Sequence, residues 1–142
     1  MEDRMLKPFL TAATLIALGG LAQADSVKLD VTVEGLKAGV GTIYAGLCTE
    51  QEFMKGPCAL SAKAKIEADT ATLTFENVTP GRYAVAAWWD VNDNGEMERG
   101  GWGEPLEPTG ASNGAVGTMG PPLYADAVID VPASGPVSVT VK

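Results

Sequence analysis

The sequence contains no histidine. That absence excludes an imidazole general base, an imidazole metal ligand and a histidine pH switch, and few hydrolytic or metal-dependent enzyme classes survive it. Basic residues are also scarce: ten Lys and Arg stand against eighteen Asp and Glu, giving a net charge of −8 and a pI of about 4.4. Such a charge repels phosphate backbones and anionic headgroups, so no nucleic-acid partner is expected. There are only two cysteines, Cys48 and Cys58, too few to complete a zinc site without histidine. What remains is an ordinary globular composition, 46% hydrophobic and 20% charged over 142 residues, which admits one domain.

The first segment reads as an address. Arg4 and Lys7 precede an almost unbroken apolar run from Phe9 to Leu21, and Ala22-Gln23-Ala24 closes it with small residues at the outer positions. This is the pattern of a secretory signal peptide, and the run falls short of the roughly 20 apolar residues a transmembrane helix needs. Glu2 and Asp3 interrupt the positive region, and a start at Met5 would give a cleaner one. Cleavage after Ala24 leaves 25–142 as a single mature domain beginning at Asp25, with no cysteine there to carry a lipid. Glu2, Asp3, Arg4 and Lys7 leave together, so the mature chain stays equally acidic. A periplasmic or secreted protein follows, and in an oxidising compartment Cys48 and Cys58 are expected to form a disulfide.

The mature chain alternates with period two. Val27, Leu29, Val31 and Val33 interleave with Lys28, Asp30, Thr32 and Glu34, the pattern of a half-buried strand. Ala62 to Ala68 and Ala71 to Phe75 alternate likewise around Asp69-Thr70, which predicts a hairpin. Gly41–Leu47, Arg82–Asp90, Ala125–Val131 and Val137–Val141 complete seven candidate strands, with no convincing helix. The expectation is an all-β, seven-stranded antiparallel sandwich of immunoglobulin-like or transthyretin-like type, with a small barrel as the alternative.

The exception is Asp90 to Tyr124, a Gly/Pro-rich stretch with no sustained periodicity. Connections this long are usually functional or disordered. Residues 90–107 concentrate Asp90, Asp93, Glu96, Glu98, Glu104 and Glu107 against a single Arg99, a costly crowding of like charge unless water or a cation screens it. Within it, Asp90 to Glu98 has the spacing D-x-N-x-N-G-x-x-E: oxygen ligands at positions 1, 3 and 5, a glycine at 6 for the turn, a carbonyl at 7 and an acid at 9 are what a calcium loop requires. Asp90, Asn92 and Asn94 would coordinate through side chains, Glu96 through its carbonyl, and Glu98 directly or through water, with Asp93 pointing away. Gly101 stands where an EF-hand has its bidentate glutamate and a strand precedes the loop, so this is no EF-hand, and Glu104 or Glu107 would have to fold back to complete the shell. An affinity of roughly 10⁻⁴ to 10⁻³ M is expected, with magnesium disfavoured by its stricter geometry. Asn94-Gly95 would equally serve as a type I′ turn, although no alternating apolar strand follows it.

Other patterns carry less. Gly110-Ala111-Ser112-Asn113-Gly114 matches G-x-S-x-G, but a nucleophile elbow needs a following helix and a histidine. Asn77-Val78-Thr79 fits a glycosylation sequon. Trp88 and Trp89 are adjacent on a strand, so they point to opposite faces; one is free to join the core, and the other, with Trp102, is either covered by the long loop or offers an apolar platform.

The string from Gly81, GRYAVAAWWDVNDNGEMERGGWGEPLEPTGASNG, followed by PPLYADAVIDV, resembles a family of exported bacterial proteins known as domain of unknown function 2141. Its pattern, G-x-Y-A-V-x-x-x-x-D-x-N-x-N-G and then G-x-P-x-E-x-x-G-x-S-N, is matched here by Tyr83, Asp90, Asn92, Asn94, Gly95, Gly103, Pro105, Glu107, Gly110, Ser112 and Asn113. Glu98 stands where that pattern more often has Asp, which lengthens the ligand arm. The resemblance implies a periplasmic or secreted β-sandwich with no established activity. The sequence is thus read as an exported, non-enzymatic binding or structural protein, disulfide-stapled and holding one structural calcium ion. The alternative is an envelope module that takes a glycan, peptide or envelope protein on Trp88, Trp89 and Trp102, and a less favoured third is a small hydrolase pairing Glu104 or Glu107 with Asp90. After signal cleavage no membrane insertion is expected, and the oligomeric state stays open.

Overall fold

The computed structural model describes residues 25–142. The expected signal peptide, Met1–Ala24, lies outside the described residues. Eight strands form two sheets: β1 (Val27–Glu34), β2 (Thr42–Cys48), β3 (Leu60–Lys65), β4 (Thr70–Val78), β5 (Gly81–Asp90), β6 (Thr109–Ala111), β7 (Val128–Val131) and β8 (Val137–Thr140). One sheet runs β4-β1-β8; the other runs β3-β2-β5, with the far edge of β5 shared by β6 and β7. The fold is all-β and two-sheeted as expected. Among the described residues no helix is long and apolar enough to cross a membrane.

The alternation read from the sequence is what fills the space between the sheets. Leu29, Val31 and Val33 of β1, Leu73 and Phe75 of β4 and Val139 of β8 face Ile43, Ala45 and Leu47 of β2 and Val85 and Ala87 of β5, all buried in one cluster. Their intervening residues face out, because successive side chains on a strand leave opposite sides of the sheet. A second, smaller cluster lies on the outer face of the β2–β5 sheet, where Cys48, Phe53, Ala84, Ala111 and Ala127 are buried under the segments that follow β2 and β6.

Four expectations need correction. There are eight strands, since Thr109–Ala111 inside the long Gly/Pro-rich stretch pairs with Ala86–Trp88. Ala62–Ala68 and Ala71–Phe75 do not form a hairpin: β3 pairs with β2 in one sheet and β4 with β1 in the other. The residues between them arch across the sandwich, with Ile66 buried, and hydrogen bonds Gly39 N–H to Ile66 O (2.8 Å) and Leu36 N–H to Asp69 O (3.1 Å) hold the arch against the β1–β2 connection. Not every pair is antiparallel, because β8 runs parallel to β1; it arrives from the opposite sheet, where no hairpin fixes its direction. Finally, Tyr124–Ala127 is a single helical turn (α1), so the strand expected from Ala125 starts only at Val128.

Two glycines permit close approaches of the backbone. A Cβ on Gly110 would lie 2.3 Å from Thr140 O, so only glycine lets β6 cross the end of β8, where Thr109 and Lys142 exchange backbone hydrogen bonds. Gly41, with φ +71°, would place a Cβ 2.1 Å from Asp90 O, so the start of β2 passes directly under the end of β5.

Candidate metal centre

Asp90 ends β5 on its outer face, opposite Thr42 of β2, and is fully buried. A buried carboxylate requires hydrogen-bond donors, and the following loop supplies them: Asn94 N–H donates to Oδ1 at 3.2 Å and Gly95 N–H to Oδ2 at 2.8 Å. Two consecutive amides reach one carboxylate because the chain turns through positive φ at Asp93 (61°) and Gly95 (77°). The sharp turn expected of Gly95 is therefore present.

The polar side chains of the loop gather on Glu98. Asn92 Nδ2 and Asn94 Nδ2 (2.8 Å) both donate to Glu98 Oε1, while Asn94 Oδ1 accepts Glu96 N–H at 3.0 Å. Asp93 points away from this group, toward the sheet. Its carboxylate accepts the Thr42 hydroxyl at 2.6 Å and pairs with the Lys65 ammonium. That ammonium, and then the Thr42 hydroxyl, hold the Asp93 carboxyl below its ordinary value.

The two more distant acids go separate ways. Glu107 folds back beneath the loop, is 7% exposed, and accepts Val91 N–H at 3.1 Å and Glu98 N–H at 3.4 Å. Glu104 instead turns onto its own short hairpin, where its carboxylate accepts Trp102 N–H at 2.9 Å. Backbone bonds Gly100 N–H to Glu104 O and Leu106 N–H to Glu98 O, both 2.8 Å, close that hairpin. Asp90, Asn92, Asn94, Glu98 and Glu107 are thus brought to one loop, and Glu104 is not. Among the described residues no three acidic or cysteine side chains cluster as a ready metal cage; the loop's oxygen set combines two carboxylates, Asp90 and Glu98, with two amides.

The three tryptophans separate. Trp89 faces inward against the core and donates its indole N–H to Val40 O at 2.9 Å. Trp88 faces outward and stacks on Tyr44, with ring centroids 4.7 Å apart and planes 9° apart. The Lys63 ammonium lies over that tyrosine ring, 6.0 Å from its centroid, and Lys63, Tyr44 and Trp88 form a row across three strands. Trp102 is 97% exposed at the tip of its hairpin. Beside the row, Thr42, Tyr44, Lys63, Lys65 and Asp93 line a surface depression of about 340 Å³. Sequence reasoning missed Tyr44, Thr42 and Lys65 here, because outward parity on β2 and β3 becomes a shared surface only once the register is known.

Cys48 and Cys58 are disulfide-bonded, with Cα atoms 4.9 Å apart. Ser112, at the centre of the G-x-S-x-G match, follows β6 and is fully buried; its hydroxyl accepts Val85 N–H at 2.9 Å and donates to Ala127 O. It is a bolt between β5, β6 and α1, with both hydrogen-bonding roles filled.

The profile of the family described as "Uncharacterized protein conserved in bacteria (DUF2141)" matches residues 31–140, and the chain belongs to that family. No curated protein and no solved structure matches it significantly.

Proposed function

We propose that this member of the family is an exported, non-enzymatic β-sandwich protein of immunoglobulin-like or transthyretin-like type, whose Asp90–Glu98 loop takes up a structural calcium ion. The observation that carries this reading is that the oxygen-bearing side chains of Asp90, Asn92, Asn94 and Glu98 meet in one loop, where Asn92 and Asn94 now turn their amide Nδ2 groups to the Glu98 carboxylate and would turn their oxygens to an ion. Hard oxygen donors on a loop with a positive-φ glycine suit calcium, whose flexible coordination tolerates mixed amide, carboxylate, carbonyl and water ligands. Asp90, Asn92, Asn94, Glu98 and the Glu96 carbonyl would hold the ion, and its charge would offset the crowded acids. Export is supported by the leader-like Met1–Ala24 pattern together with the disulfide.

Thermal unfolding in chelator and then across calcium up to about 10 mM, with magnesium as control, tests the reading, because a ligand that binds only the folded state raises its melting temperature. A saturating, calcium-selective rise is expected. No shift reduces the loop to a turn closed by its own hydrogen bonds.

A second reading, an envelope module for a glycan, peptide or protein, is favoured by one observation, the full exposure of Trp102 on a braced hairpin. Trp89 is committed to the core, and Tyr44 is stacked on Trp88 with the Lys63 ammonium over its ring. The acid-pair hydrolase gains no support, since the carboxylates of Asp90 and Glu107 are buried and accept main-chain N–H groups.

A further inference from the structure

The described residues contain two Asn-Gly pairs, Asn94-Gly95 and Asn113-Gly114. A glycine after asparagine leaves its backbone nitrogen unhindered, so that nitrogen is able to attack the asparagine side-chain carbonyl carbon. We infer that Asn94 is a self-modification site, converted to aspartate or isoaspartate through the Gly95 nitrogen, and that the folded loop makes it react faster than Asn113.

The chemistry needs only water. A bond forms between Gly95 N and Asn94 Cγ, the Cγ–Nδ2 bond breaks, and the departing nitrogen leaves as ammonia with the proton that Gly95 N gives up. Water then opens the five-membered imide at either carbonyl, giving aspartate or isoaspartate. The balance is amide plus water to carboxyl plus ammonia, without oxidant or cofactor.

Two contacts place groups where the reaction needs them, and a third fixes the amide that reacts. Asn94 Oδ1 accepts Glu96 N–H at 3.0 Å, a donor aimed at the oxygen that becomes negative as the tetrahedral centre forms. Gly95 N–H already donates to Asp90 Oδ2 at 2.8 Å, so an acceptor stands on the proton that must leave. At the leaving group, Asn94 Nδ2 donates to Glu98 Oε1 at 2.8 Å, which fixes the orientation of the amide; the departing nitrogen takes its proton from solvent water, to which the proton from Gly95 N passes. Asn94 is exposed, so water reaches it, and the space a Cβ on Gly95 would occupy is open.

Asn113 provides the control within the same chain. Its Nδ2 donates to Val128 O at 2.8 Å, and among the described residues no carboxylate is hydrogen-bonded to its side chain. The dipeptide is the same, so any difference in rate comes from what the fold adds. Conversion to aspartate gives the loop another carboxylate, and where the calcium reading holds, ligand charge is what tunes affinity. The conversion itself does not depend on that reading.

The test is to age the freshly purified full chain at neutral pH, folded and in concentrated urea, and to follow both asparagines by peptide mapping and mass spectrometry, with isoaspartate scored separately. The expected result is conversion of Asn94 several-fold faster than Asn113 in the folded protein, with the gap closing in urea. A folded-state rate at Asn94 no higher than at Asn113, or lower than its own rate in urea, overturns the inference, because the loop would then protect the amide.

Discussion

The Thr42 hydroxyl donates to the Asp93 carboxylate at 2.6 Å, fixing the acidic loop after β5 to the first residue of β2. The same carboxylate pairs with Lys65 at the end of β3, so one side chain ties the loop to two strands of the sheet. Asp93 therefore sets where the loop stands, while its neighbours Asn92 and Asn94 turn the other way toward Glu98.

This pairing predicts a pH response. Lys65, and then Thr42, lower the folded pKa of Asp93 below its ordinary 3.8, so its stabilising contribution is complete above that value and is lost as pH falls through the folded pKa. An NMR titration of the Asp93 carboxyl is expected to give a midpoint below 3.8, and Lys65→Ala to raise it. An unshifted midpoint in the unaltered protein would mean that the pair does not persist in solution.

Glu98→Gln separates ion binding from loop folding. Glutamine keeps an oxygen to accept from Asn92 and Asn94 but removes a charge from the proposed calcium shell, so the melting temperature in chelator should barely change while the calcium-induced rise shrinks. Asp90→Ala is the blunter variant. It strips the acceptor from Gly95 N–H and one of two acceptors from Asn94 N–H, which keeps Asn92 Oδ1 at 3.4 Å, so it loosens the loop and lowers stability with or without calcium.

Ser112→Ala is expected to destabilise the fold by about 1–3 kcal/mol, because Val85 N–H is buried with that hydroxyl as its acceptor. Urea denaturation measures the loss. A neutral result would show that another group, such as water, satisfies the amide.

Replacing both Cys48 and Cys58 by alanine should cost about 3 kcal/mol on the chain-entropy account of closing so short a loop, with some further loss of packing around Cys48. The unfolding midpoint of the variant should no longer respond to reductant, whereas that of the unaltered protein falls when the disulfide is reduced.

Trp102→Phe should remove most of the fluorescence that acrylamide quenches, since Trp102 is almost wholly exposed while Trp89 is packed against the core. If quenching persists undiminished, Trp88 is the accessible indole, and the Tyr44–Trp88 row becomes the surface to probe with glycans and peptides.

Much of the loop's arrangement was legible because its signals are local. D-x-N-x-N-G-x-x-E places its donors within a single turn, and the structure gathers Asp90, Asn92, Asn94 and Glu98 there. The opposed faces of Trp88 and Trp89 follow from strand geometry alone. Glu107 and Glu104 were indistinguishable as acids downstream; a short hairpin between Glu98 and Leu106 returns one beneath the loop and keeps the other at its own turn.

Alternation along β1, β3, β4 and β5 determined which residues would be buried, since that pattern records only the two sides of a strand. It carried nothing about which strand lies alongside. Ala62–Ala68 and Ala71–Phe75 alternate as a hairpin would, yet burial of Ile66 and the bonds from Leu36 and Gly39 send them to different sheets. The pairing of Tyr44 with Trp88, the parallel entry of β8 beside β1, and the bolt at Ser112 join residues far apart in the chain. Those depend on how apolar faces from distant segments close over one another, a choice made by the whole core and by no single stretch of sequence.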